Sequence, residues 1–143
     1  MTRAYEMEHL VTFEETNLVG NVYYVNHVRW QGACRERFLE AHCPGVLADL
    51  RGGLALATTR CSCAYFAELE AFDRITVRMT LGGVSQNRVL MRFDYLRDEL
   101  LVARGEQEVA CMRRDGDALR PVPVPAEMLD ALAGYAANAA ANP

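Results

Sequence analysis

Between residues 54 and 112 the chain carries four strand-like runs in succession with no helical pattern between them, and this block limits the fold more than any other feature. Ile75, Val77, Met79 and Leu81 alternate with Thr76, Arg78 and Thr80, and from Val89 the alternation resumes, with Met91, Phe93 and Tyr95 on one face and Arg88, Arg92 and Asp94 on the other. Such period-two spacing marks strands that bury one face. A parallel sheet needs a crossover element between successive strands, and none is spelled here. The strands are therefore antiparallel and the class is α+β. Gly82-Gly83 predicts a bulge or bend, and Gln86-Asn87 and Asp98-Glu99 predict turns.

Ahead of this block, Tyr5, Met7, His9, Val11 and Phe13 predict a half-buried strand over residues 5 to 14. A helix follows, capped by Asn26, with Trp30, Ala33, Cys34, Phe38 and Ala41 as its apolar stripe. Cys43, Pro44 and Gly45 close it, and a loop containing Gly52-Gly53 leads to a strand over residues 54 to 68. Residues 100 to 112 form the last strand. Pro121, Pro123 and Pro125 make the next link extended, EMLDALAGYA predicts a short helix, and ANAAANP reads as a frayed tail. This organisation gives one domain over residues 1–120 and a C-terminal extension over 121–143.

A chain of 143 residues suits one domain with a real core. No apolar run approaches the ~20 residues of a membrane helix, and the N-terminus lacks the apolar centre of a secretory signal, so cytoplasmic residence is the expectation. The formal net charge of −4 excludes a general nucleic-acid binder. All fifteen basic residues are Arg, a bias that genome composition explains as readily as anion binding. Five cysteines contain no CxxC pair and read as free thiols, with Cys61 and Cys63 on one strand face. No zinc spacing, phosphate-cradling glycine motif or nucleophile elbow is present, so no metal or organic cofactor is expected.

The chemistry points to residues 14 to 30, EETNLVGNVYYVNHVRW. Here a strand stops at a Gly-containing turn and a helix begins, which gathers unpaired N–H groups beside the positive end of a helix dipole. The string resembles the signature of hotdog-fold thioesterases of the 4-hydroxybenzoyl-CoA thioesterase type. Within them it is similar to the subgroup serving enediyne polyketide synthases, through Asn17, Gly20, Asn21, Tyr23, Tyr24, Asn26, Arg29, Trp30, Gln31, Gly32, Arg35 and Glu36. The resemblance runs from about residue 5 to residue 114. It implies a curved antiparallel sheet of about five strands wrapped around one central helix, assembled as a homo-oligomer, with tetramers of paired dimers common.

The resemblance also implies the site. Asn17 stands where the wider family carries a catalytic Asp, and an amide has no useful basicity near neutral pH, so its role becomes orientation of water or thioester. An Asx turn is the competing reading of this residue. The Tyr24 backbone N–H is the expected oxyanion donor, and Arg35 is expected near the substrate carbonyl or a β-keto acid carboxylate. Gly20, Tyr23, His27 and Thr59 complete the candidates for substrate binding, although most subgroup sequences carry Tyr where His27 stands. Glu36 is the carboxylate to test as an acid or base. The implied activity is hydrolysis of a linear, β-keto polyene from the phosphopantetheine of a synthase carrier domain, with loss of carbon dioxide then giving a methyl ketone. A general acyl-CoA thioesterase and an inactive carrier-binding hotdog module are the alternatives.

Overall fold

The computed structural model describes residues 3–136. Strand β1 spans Tyr5–Leu10, helix α1 Val25–His42 and helix α2 Pro44–Leu50. Strands β2 (Leu54–Tyr65), β3 (Arg74–Ser85), β4 (Arg88–Arg97), β5 (Leu100–Asp115) and β6 (Ala118–Pro121) follow, and helix α3 covers Ala126–Ala133. The sheet runs β1-β3-β4-β5-β2, with the short β6 added beside β5, and every pairing is antiparallel. Its inner face wraps α1. This is the α+β hotdog arrangement that the resemblance implies.

Alternation dictates the core. Val77, Met79, Val89, Met91, Phe93 and Tyr95 all point inward at full burial and meet Trp30, Cys34 and Phe38 of α1. The four-residue spacing of those helix residues lays them along one stripe. The register shifts between Leu81 and Gly83, so the glycine pair does form a bulge, which bends the sheet around the helix. Gln86 lies at φ 57°, and Asp98 and Glu99 at 50° and 67°, so both expected turns are tight left-handed hairpins. From the C-terminal segment, Met128 and Leu132 of α3 enter the same core, while ANAAANP lies outside the described residues.

Several expected boundaries move. The first strand ends at Leu10, because Thr12 donates its N–H to Glu15 Oε1 at 2.8 Å and starts a 3-10 turn over Phe13–Glu15, leaving Phe13 exposed. Asn26 does not cap α1; the helix starts from Tyr24, and Asn26 is buried in its first turn, donating Nδ2 to the Glu15 carbonyl at 2.8 Å. Ala41 is exposed, and Leu39 takes its place in the stripe. Pro44 stops one helix and opens another, being suited to a first helical turn where its missing N–H costs nothing. The strand beginning at residue 54 ends at Tyr65, where the Phe66 and Ala67 N–H groups turn to the Val102 carbonyl. The last long strand continues to Asp115 and folds back through Gly116, at φ 62°, into β6. Among the described residues no helix is long and apolar enough to cross a membrane.

Candidate active site

The turn Asn17 to Gly20 is closed by the Gly20 N–H on the Asn17 carbonyl at 3.0 Å, and the Asn17 N–H reaches the Asn21 carbonyl at 2.8 Å. Gly20 sits at φ +97°, which only a residue without Cβ adopts freely. The Asn17 side chain accepts the Val19 N–H on Oδ1 at 3.0 Å, an Asx turn, and this fixes its amide nitrogen as the outward group. Leu18 and Val19 at the tip are fully and largely exposed.

Glu15 holds this loop against the helix. Its side chain accepts from His9 Nε2, the Thr12 N–H and Trp30 Nε1, each at 2.8 Å, and its carbonyl takes the Tyr23 N–H and Asn26 Nδ2. Burial pushes the carboxyl up, but the Thr12 amide, His9 and Trp30 together hold it below its ordinary value. Glu15 thereby organises the site, a role the sequence analysis does not assign to it. A Thr-x-x-Glu spacing over Thr12 and Glu15 was the available signal.

At the start of α1, the Tyr24 N–H makes no hydrogen bond among the described residues, while the Tyr24 carbonyl accepts the Tyr65 hydroxyl at 2.8 Å. The donor expected for an oxyanion is therefore unoccupied and stands at the helix N-terminus. Tyr23 packs on Tyr24 with ring centres 4.9 Å apart. Beside them opens a pocket of about 350 Å³, walled by Asn21, Tyr24, His27, Tyr65 and Phe66. A wider groove of about 670 Å³ along β1 and β3 is lined largely by charges such as Glu6, Glu8, Arg74 and Arg78, and lies away from the helix start. The smaller, aromatic pocket is the better acyl site.

His27 is only 3% exposed, and neither ring nitrogen makes a hydrogen bond of proper geometry. Burial pushes it below its ordinary pKa of 6.5, opposed weakly by the nearby Tyr24 carbonyl, so the ring is neutral. It stands edge to face with Tyr65 at 4.7 Å. Four residues on, Gln31 is fully buried and donates Nε2 to the Ser62 carbonyl at 2.9 Å, crossing β5 where Gly105 has no side chain. A Cβ at Gly105 would overlap both groups. Four further on, Arg35 donates to Gln107 Oε1 at 2.6 Å and keeps an unpartnered, buried Nε. Burial lowers the Arg35 pKa and Glu36 opposes this; the guanidinium stays charged. His27, Gln31 and Arg35 thus form one polar row on α1, a four-residue repeat inside an otherwise apolar face that the sequence reading did not exploit.

The expected residues divide into groups. Asn17, Gly20, Tyr23, Tyr24 and His27 gather around the helix start. Arg35 lies eleven residues along α1 from Tyr24, about 16 Å at the helical rise, so one copy does not bring the two together. Thr59 sits at a shift in the β2–β5 register and donates to Glu108 at 2.6 Å on the outer face of the sheet, away from the pocket. Glu36 is exposed and makes no hydrogen bond among the described residues. Cys34 is buried with its thiol pushed up to about 12, which removes it as a nucleophile, and no group of metal-binding side chains occurs among the described residues.

Comparison with known proteins identifies the family and the fold. A family model described as Thioesterase-like superfamily matches residues 11–132. The dynemicin thioesterase, whose crystal structures describe induced-fit and allosteric effects upon polyene binding, is 51% identical with a TM-score of 0.92, over 95% of this chain and 99% of that one. A 1,4-dihydroxy-2-naphthoyl-CoA thioesterase from Synechocystis is 21% identical with a TM-score of 0.82, over 92% and 96% of the two chains. An Asp-to-Asn variant of 4-hydroxybenzoyl CoA thioesterase, complexed with 4-hydroxybenzoyl CoA, is 20% identical with a TM-score of 0.80, over 91% and 99%. These last two likenesses establish the fold alone. No curated protein sequence matches the chain.

Proposed function

Because the chain belongs to the Thioesterase-like superfamily and is a thioester hydrolase, we propose that it releases a linear β-keto polyene from the phosphopantetheine of a carrier domain in an iterative enediyne polyketide synthase. The single observation that carries this reading is the 51% identity, over nearly the whole of both chains, to the dynemicin thioesterase, a protein studied with bound polyene. The pocket of about 350 Å³ beside the helix start, rimmed by Tyr24, Tyr65 and Phe66, supports an extended unsaturated chain.

In this mechanism the thioester carbonyl points at the Tyr24 N–H, one preorganised donor being worth ~3 kcal/mol to a tetrahedral oxyanion. Water attacks the carbonyl carbon directly. Asn17 has Oδ1 engaged by Val19, so Nδ2 is the group that orients the water or the carbonyl. The C–O bond forms, the C–S bond breaks, and a proton from water ends on the departing sulfur. Arg35 pairs with the carboxylate of the β-keto acid, whose bond to the α carbon then breaks to release carbon dioxide, and the resulting enolate takes a proton from solvent to give a methyl ketone. Since about 16 Å separates Arg35 from the Tyr24 amide along one helix, the guanidinium serving each site comes from a second copy, in keeping with the homo-oligomer expected of this fold. Thr59, on the outer face of β2, contacts substrate only if the neighbouring copy's tunnel meets it there.

Mass spectrometry of products released from a loaded synthase tests substrate and reaction together. Asn17→Ala and Arg35→Ala are expected to stay folded and to lower single-turnover release at least tenfold, and unchanged release in both would sink these roles. Asn17→Asp keeps the acceptor for the Val19 N–H and is expected to add an acid limb to the pH–rate profile. Faster turnover of soluble acyl-CoA than of the carrier-bound polyene would favour a general acyl-CoA thioesterase instead.

A further inference from the structure

Residues 106 to 108 of β5 read Glu-Gln-Glu, and the pleat sends the two carboxylates one way and the amide the other. Glu106 and Glu108 lie on the outer face, where they pair with Arg92 and Arg88 of β4, both at 2.9 Å. Gln107 points inward against α1 and is 4% exposed. There it meets Arg35, whose one hydrogen bond among the described residues runs from a terminal nitrogen to Gln107 Oε1 at 2.6 Å. No carboxylate forms an ion pair with Arg35 among the described residues; Glu36, next to it in sequence, is exposed and acts on it through its field alone.

A guanidinium carries donors only, so the amide oxygen is the atom that faces it, and a neutral oxygen fixes its direction without cancelling its charge. A carboxylate at position 107 would make the stronger, doubly charged bond of the kind found on the outer face. The amide instead leaves a half-buried cation uncompensated, which is costly unless a bound molecule brings the opposite charge. We propose that Gln107 is a positioning residue that aims the Arg35 guanidinium and, being neutral, reserves its whole charge for an anionic group on the bound substrate or product. The inference rests on Arg35 serving the thioesterase site and adds the residue through which that service is set.

Two measurements test it: single-turnover release from the loaded synthase, and calorimetric binding of decanoate and decanamide, an anionic and a neutral ligand of equal chain length. The wild type is expected to bind decanoate at least tenfold more tightly than decanamide. Gln107→Glu, which supplies a counter-charge in place, is expected to stay folded, to bring that preference toward unity and to lower release at least tenfold. Gln107→Leu, which removes the acceptor but leaves the charge, is expected to lower release several-fold while keeping part of the preference. Added to Arg35→Ala, Gln107→Leu should cost nothing further, because it acts through the arginine. Release within twofold of wild type in both Gln107 variants, or full additivity of Gln107→Leu with Arg35→Ala, overturns the proposal alone. A wild type that binds the two ligands equally overturns it as well. Release and preference both unchanged in Arg35→Ala would instead overturn the underlying role of Arg35, and the proposal with it. Should Gln107→Glu not fold, Gln107→Leu and its combination with Arg35→Ala decide.

Discussion

Replacing Glu15 with Ala tests the structural logic of the site without touching a proposed catalytic group. The carboxylate accepts three hydrogen bonds, and their donors fare differently once it is gone. The Thr12 N–H is exposed and the His9 side chain is 26% exposed, so both regain water. Trp30 is 3% exposed, and its indole N–H would be left buried without a partner. Orphaning that donor costs about 1–3 kcal/mol, and losing two charge-assisted bonds partly replaced by water adds about 1 kcal/mol. The expected loss is about 3 kcal/mol, or a fall in Tm of about 6–12 °C for a chain of this size. Urea unfolding measures it directly, and because Trp30 is the single tryptophan its fluorescence reports on the contact itself. The same change made in a Trp30→Phe background, followed by circular dichroism, should cost at least about 1 kcal/mol less, since no indole N–H remains to be stranded. A loss below about 0.5 kcal/mol, the range of ordinary surface substitutions, or strict additivity of the two changes, would refute the reasoning.

Gly105→Ala places a methyl group against Gln31 Nε2 and the Ser62 carbonyl, and is expected to cost about 2–3 kcal/mol in urea unfolding. Adding Gln31→Ala should recover only part of this, because the Ser62 backbone stays in place. Stability should also decline in two stages on acidification. His27 and Glu15 are both held below their ordinary values in the folded chain, so the unfolded chain binds more protons; stability is full above pH 6.5, falls first through His27, and falls again through Glu15 below about pH 4.5. Urea titrations across that range should lose the upper stage in His27→Phe and show a smaller lower stage in Glu15→Ala, where Asp49 and Glu108 are still held low by Arg113 and by Thr59 and Arg88.

The parts of the fold legible in the sequence are those whose signal is local. Strands β3 and β4 announce themselves because each inward residue is two from the next, and their hairpins because Gln86-Asn87 and Asp98-Glu99 sit where the alternation breaks. Helix α2 was hidden because Pro44 and Gly45 are helix stops when read from the preceding side and a helix start when read from the following one. Asn26 looked like a cap because its preference for that position is strong; a partner eleven residues away in sequence, the Glu15 carbonyl, outweighed it. At the site, the neighbourhood of Asn17, Gly20 and Tyr24 was readable as a motif. The row His27, Gln31 and Arg35 was not, since its meaning depends on Gly105 and Gln107 of β5, more than seventy residues away.

The strand order β1-β3-β4-β5-β2 has a consequence for how the chain is made. Strands β3, β4 and β5 are joined by tight hairpins and can pair as they emerge from the ribosome, but β2 is synthesised before all three and pairs only with β5. At bacterial or slower translation rates, the interval between completing residue 65 and completing residue 115 is on the order of several seconds. Throughout that interval LALATTRCSCAY, rich in apolar side chains and thiols, has no strand to bind. Low expression temperature, a reducing medium and chaperone supply should therefore govern the soluble yield of this protein more than changes to its finished core.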